Sequence, residues 1–323
     1  TVREFQRLTN SMSSSKNQLL EGIFSKKMAL CLSLGFASGM PLFVVLTLLG
    51  AYLRKEGVNL KEIGLFSLIM IPYTWKFVWS PLVDRYNLFH LGRRRSWMLI
   101  SQIAVFFSIF LLGQFSPKTS LSVIAVVSVI LSFASATQDI VIDAYRREIL
   151  TDRELGLGTS LFITASRASS LVPGGLSLVI AQFLSWSDVF FITAAFMLPA
   201  LVVTFFIKEP ETINAPRNLR QAIIEPFREF KDRRGLKSMF LIILFVFCYK
   251  LGDSMATALA TPFYIDLHYD LLTIGLVAKN AGLWSMLIGG ILGGVIMLKT
   301  GINKALWYFG FGQLITILGF VIL

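Results

Sequence analysis

The stretch Ser132–Leu150, SFASATQDIVIDAYRREIL, sets two carboxylates, Asp139 and Asp143, inside a run that is otherwise apolar from Leu121 to Ile142. A charge near the centre of a bilayer costs roughly 2.5–3.5 kcal/mol on insertion scales, so it persists only where it faces protein, water or a ligand. Four residues apart on a helix, the two acids point to one face. Gln138 adds a neutral hydrogen-bonding group beside them. This face reads as part of a polar pathway, and the chain as a transporter or channel.

The rest of the sequence agrees with a bilayer setting. Of 323 residues, 55% are hydrophobic and only 15% charged, against about 25% charged in soluble domains. The mean hydropathy is +0.69. The apolar residues come in blocks, several of which exceed the roughly 20 residues that cross a bilayer as a helix. The ~10-residue alternating segments of a membrane β-barrel are absent. The expected class is an all-α, polytopic membrane protein.

Nine spans are expected, over 27–53, 60–83, 97–115, 121–144, 156–184, 189–207, 238–264, 273–298 and 305–323. The first is too long for a signal peptide and lacks a small-residue cleavage site. The tail and the even-numbered loops hold 22 basic residues, and the odd-numbered loops only Arg54, Lys55, Lys61 and Lys118. Positive charge stays cytoplasmic, which predicts a cytoplasmic N-terminus and a cytoplasmic sixth loop. The net charge of +11 thus reflects topology and not a nucleic-acid partner. The organisation reads as a polar tail (1–26), a first six-helix half (27–208), a cytoplasmic linker (209–237) and an incomplete second half (238–323). KEIGLFSLI from Lys61 and LTIGLVAKN from Leu272 form a weak internal repeat. An even number of spans between the copies fits parallel halves. The last span runs to Leu323 without a flanking charge, and the first residue is Thr, so a fragment lacking about three spans is expected.

Cys31 and Cys248 fall in separate spans and His90 and His268 in distant loops, which gives neither a disulfide framework nor a metal site. No cofactor motif or catalytic signature is visible, and no enzyme activity is expected. The charges inside spans are the candidate site. They are Lys76 in span two, Asp139 and Asp143 in span four, Arg167 in span five, Lys250 and Asp253 in span seven and Lys279 in span eight. Fixed cations suit an anionic solute. A carboxylate that changes its surroundings can take up and release a proton. Pairing of these charges with one another to hold the bundle is the alternative for each. Asp84-Arg85 followed by Gly92-Arg93-Arg94-Arg95 ends span two, and Arg146 follows span four. These groups could form a cytoplasmic latch closed by ion pairs. Gly35 and Gly39 form a small-xxx-small pair, as do Gly289 and Gly293, which lets helices approach closely.

Asp-Arg followed by Gly-Arg-Arg at that loop resembles the pattern of the major facilitator superfamily, with a longer spacer here. GFASGMPL from Gly35, YTWKFVWSPLVDRY from Tyr73, GRRRSW from Gly92, SATQDIVIDAYRREIL from Ser135 and YKLGDSMA from Tyr249 together resemble the AmpG-type muropeptide permeases. The resemblance covers the chain after its tail. It implies a major facilitator fold of twelve to fourteen spans in the bacterial inner membrane. It also implies proton-coupled import of anhydro-muropeptides for peptidoglycan recycling. On this reading Lys76, Gln138, Asp139, Arg167, Lys250 and Lys279 are candidate substrate-binding residues. Asp139, Asp143 and Asp253 are candidates for proton coupling, and Asp84, Arg85, Arg93, Arg94 and Arg146 for the latch. Expected partners are the substrate, protons and the lipid bilayer, with the protein a monomer. A carrier of another anionic solute, such as an acyl-CoA-like or peptide substrate, and a non-transporting sensor are the alternatives.

Overall fold

In the computed structural model, residues 25–210 and 279–322 are described, together with scattered positions between 235 and 247. The chain divides into two units, Thr1–Ala215 and Pro216–Leu323. Every regular element among the described residues is helical.

In the first unit five helices are long and apolar enough to cross a membrane: Lys26–Lys55, Arg93–Leu112, Pro117–Ile149, Glu154–Ile180 and Trp186–Phe206. They correspond to expected spans one, three, four, five and six and are so named below. The expected second span is not one continuous helix. It is a series of short turns, Leu60–Leu65, Phe66–Met70, Ile71–Trp75, Lys76–Val78 and Ser80–Arg85, alternating between α and 3-10 geometry. Pro72 and Pro81 each stand at the start of a turn, where their missing N–H costs nothing but prevents the preceding helix from continuing. Span four outruns its expected end and carries Arg146, Arg147 and Glu148 on its last turns. In the second unit the described helices are Lys279–Thr300 and Ile302–Ile322. Expected span seven and the Leu272 copy of the repeat lie largely outside the described residues.

Local sequence sets the helix starts. The Ser25 hydroxyl accepts the Met28 N–H at the head of span one. Thr151 and Glu154 form a reciprocal capping box at the head of span five, satisfying two N–H groups that have no partner within the helix. Lys27 then reaches Glu154 at 2.9 Å and ties the two helix ends together.

Lipid tails are as apolar as the helices, so packing and close approach hold a membrane bundle together. Spans one and five show this most directly. A Cβ on Gly35 would stand 2.3 Å from the Phe162 carbonyl oxygen, and one on Gly39 2.2 Å from that of Ser166. The two backbones are therefore in direct contact. The other glycine pair differs: no described residue stands within 4 Å of a Cβ on Gly289, and one on Gly293 would meet Phe309 at ordinary contact distance. Towards the far end of the first unit, Tyr52 packs against Trp186 and Phe190, and its hydroxyl donates to the Phe115 carbonyl at 2.7 Å. The core around it includes Met40, Leu48, Ile109, Leu131 and Met197.

Spans one and five also share a break in register. Each contains a π-turn, Val44–Leu48 in one and Val172–Leu176 in the other. The two π-turns pack side by side, with Thr47 facing Gly174.

Candidate functional site

Asp139 lies ten residues from the end of span four at Ile149. At 1.5 Å per residue that is about 15 Å, and it lies about two turns inside the charged end of the span, which carries Arg146, Arg147 and Glu148. Two neighbouring spans meet the carboxylate there. Ser38 of span one donates its hydroxyl to Oδ1 at 2.6 Å, and Lys76 of span two brings its ammonium to 3.7 Å from Oδ2. Both charged side chains are part-buried, Lys76 at 35% exposure and Asp139 at 18%. Solvent screening is thus incomplete and the pair interacts more strongly than a surface ion pair would.

The broken second span is held in place by its neighbour. The Trp79 indole N–H donates to Thr137 at 3.1 Å, and its ring stacks on Phe133 at 4.6 Å between centroids. Phe133 and Thr137 are one turn apart on span four, so one side chain clamps span two across that turn. Three residues before Lys76, Tyr73 points its hydroxyl into the same region, close to Ser135 and Asp139. It does not reach hydrogen-bonding geometry with either. Because Lys76 opens a 3-10 turn just beyond Pro72, its position depends on the break in the helix.

The remaining candidates lie elsewhere. Gln138 is fully buried, and neither of its amide atoms meets a partner among the described residues. One residue turns a helix by about 100°, so adjacency in sequence carries Gln138 away from the Asp139 face and into the bundle. Gln102 of span three is equally buried and unpartnered. Gln102 lies eight residues in from Arg94 and Gln138 ten in from Glu148, and Arg94 and Glu148 are paired. The two amides therefore sit at nearly the same depth. Asp143 is about half exposed and pairs with Arg146 at 3.0 Å along its own helix. Arg146 in turn lies over the Phe162 ring, 4.2 Å from its centroid. Arg167 is exposed and makes no ion pair with a described residue. Lys250 and Asp253, and the side chain of Lys279, lie outside the described residues.

The end of the bundle that holds the Asp84–Arg95 cassette is a second polar centre. Arg94, 7% exposed, pairs with Asp84 and with Glu148, the latter at 2.6 Å. Arg93 approaches Glu148 at 3.7 Å and donates to the Asp84 carbonyl. Glu209, just beyond span six, accepts the backbone N–H groups of Arg94 and Arg95 at 2.8 and 3.0 Å. Its carboxylate supplies the cap that span three lacks, since Gly92 at the N-cap has no side chain. Negative charge is favourable at a helix N-terminus. Gly92 is also required sterically: its φ is +102°, and a Cβ there would overlap the Glu209 side chain at 2.5 Å. The cluster joins the ends of spans two, three, four and six. Arg85 and Arg146 stand apart from it, Arg85 lying over the Tyr86 ring. Sequence reading missed Glu148 and Glu209, because an acid among basic residues at a helix end looks like solvated surface.

The sequence model of the Major Facilitator Superfamily matches residues 19–323. The chain is 46% identical over 308 residues to an uncharacterized protein of Haemophilus influenzae, covering 94% of this chain and 72% of that one. It is 38% identical over 300 residues to the anhydromuropeptide permease of Escherichia coli K12, covering 92% of this chain and 60% of the permease.

Proposed function

The chain belongs to the major facilitator superfamily of membrane transporters, and on that premise we propose that it carries anhydro-muropeptides across the bacterial inner membrane into the cytoplasm, coupled to protons. The substrate class comes from the permease that is 38% identical to it. The observation that carries the coupling is the Lys76–Asp139 pair, an acid and a cation from two different spans meeting at 3.7 Å inside the bundle. An acid beside a cation favours its charged form, and the same acid without that cation in a buried site favours the protonated form. Movement of span two against span four would therefore change proton affinity at Asp139. A moving, broken second span is well suited to make that change.

Lys76 has a second role in this reading. Muropeptides carry peptide carboxylates, and a part-exposed ammonium beside the pathway is the natural partner for one of them. Substrate and Asp139 then compete for the same cation. Proton release and substrate release are linked by that exchange.

The test is uptake of labelled anhydro-muropeptide by the full-length protein in proteoliposomes, with and without an imposed proton gradient. Gradient-dependent accumulation is expected, and Lys76→Met should cut it at least tenfold while the protein still inserts. Wild-type uptake that ignores the gradient would remove the coupling. Undiminished uptake by Lys76→Met would remove the lysine from the site.

The N-terminus and the linker around Arg220 face the cytoplasm on this reading, which the distribution of basic residues supports. A cysteine at Arg220 should react with a membrane-impermeant maleimide in inverted vesicles and stay unlabelled in intact spheroplasts. The opposite pattern would reverse the orientation.

A further inference from the structure

At the end of the first unit where span one begins, a groove of about 940 Å³ runs between spans one, four and six. Its mouth and its floor differ in chemistry. Lys26 and Lys208 stand at the mouth, both exposed, and neither forms an ion pair with a described residue. The floor is apolar, with Leu30 from span one and Val202 and Phe206 from span six.

The groove's other charges are already engaged. Lys27 is bound to Glu154. Glu148 is held by Arg94, and Glu209 accepts the two N–H groups that begin span three. Lys26 and Lys208 therefore set the potential at the mouth. The backbone of Lys208 is held by the Tyr145 hydroxyl, which donates to its carbonyl oxygen at 3.2 Å.

We infer that this groove binds an anionic phospholipid, its phosphate between Lys26 and Lys208 and one acyl chain along the apolar floor. The vertical order of the groups carries the inference. Phe206 is the last helical residue of span six, just before Lys208, and Val202 lies one turn, about 6 Å, further in. They are 77% and 56% exposed, so the floor opens sideways where a bilayer would supply hydrocarbon. A phospholipid presents a negative phosphate above and hydrocarbon directly below in that same order. A soluble anion would meet the lysines but leave the floor unused, and a zwitterionic lipid would fill the floor without matching the charge. Each basic residue near an anionic headgroup contributes about fivefold in affinity.

The experiment titrates the full-length protein in detergent with dioleoylphosphatidylglycerol and with dioleoylphosphatidylcholine, and counts bound lipids by native mass spectrometry. A preference for phosphatidylglycerol of about tenfold or more is expected. Lys26→Gln with Lys208→Gln should bring the two lipids to parity. Lys299→Gln with Lys304→Gln removes the same charge from other exposed positions and should leave the preference intact. Both substituted pairs are on the surface, and an unchanged melting temperature confirms that they fold. Three results would overturn the inference. One is equal binding of both lipids by the wild type. Another is equal loss in the two double variants, which would make the effect generic surface charge. The third is displacement of the lipid by millimolar inorganic phosphate, which would make the lysines a simple anion site.

Discussion

Asp139→Asn is expected to abolish proton-driven accumulation of substrate while sparing exchange of substrate across the membrane. The two side chains have the same shape, so Ser38 can still donate to the amide oxygen in place of Oδ1. What disappears is the titratable group and the negative charge that faces Lys76 at 3.7 Å. A carrier without its proton-binding group can still alternate between its two faces, but it equilibrates its substrate and does not concentrate it. Proteoliposomes separate the two activities. Counterflow of labelled anhydro-muropeptide should persist, and accumulation under a pH gradient should fall to equilibration. A variant that still concentrates substrate would move the coupling to another residue. Ser38→Ala is a useful companion, since it removes one hydrogen bond without changing any charge.

The largest expected effect on stability is at Arg94. Arg94→Ala removes a nearly buried guanidinium and leaves Asp84 and Glu148 without the cation between them. Breaking a buried ion pair by removing one partner costs about 3–5 kcal/mol. Asp84 and Glu148 are themselves 39% and 26% exposed and can be rehydrated, so the loss falls near the lower end, about 3 kcal/mol. A fall of several degrees in the melting temperature of the detergent-solubilised protein is expected. Arg94→Lys should recover only part of it, because an ammonium cannot serve two carboxylates with the planar fork that the guanidinium uses. A melting temperature unchanged in Arg94→Ala would mean that the cluster contributes nothing to holding these four helix ends together.

The helical class, five of the spans and the presence of Asp139 and Lys76 within spans were legible in the sequence for one reason. An apolar run records burial residue by residue, and a charge within it is conspicuous. That Lys76 and Asp139 meet was not legible. Their pairing depends on how span two packs on span four, and neither the Trp79 clamp nor the succession of short turns has a periodic signature. Pro72 and Pro81 each open one of the short turns, yet the number of breaks follows from tertiary packing. Sequence proximity was misleading in two places. Gln138 is adjacent to Asp139 but faces into the bundle. Arg146 is near the charged cassette in the folded chain's polarity pattern, but its guanidinium is taken up by Asp143 and Phe162. Glu148 and Glu209 were missed because an acid acquires meaning at a helix end only when its distant partner is known. The glycine pair was read correctly at Gly35 and Gly39, where the backbones touch. The same spacing at Gly289 and Gly293 produces no such contact among the described residues.

The adjacent π-turns of spans one and five bear on how these helices can vary. A π-turn accommodates one surplus residue within a helix, and one residue corresponds to about 100° of rotation. Beyond Leu48 and Leu176, each helix therefore presents a different azimuth from the one its inner half would have projected. Because the two surplus residues sit side by side, both helices are reset together and their outer halves remain in phase. Deleting one residue from either segment alone would turn that outer half by about 100° against a partner that had not turned. It would carry the bundle-facing side of one helix a little more than a quarter turn away from the bundle and leave its neighbour unchanged. A change of length in either segment would thus be felt at the contact with the other.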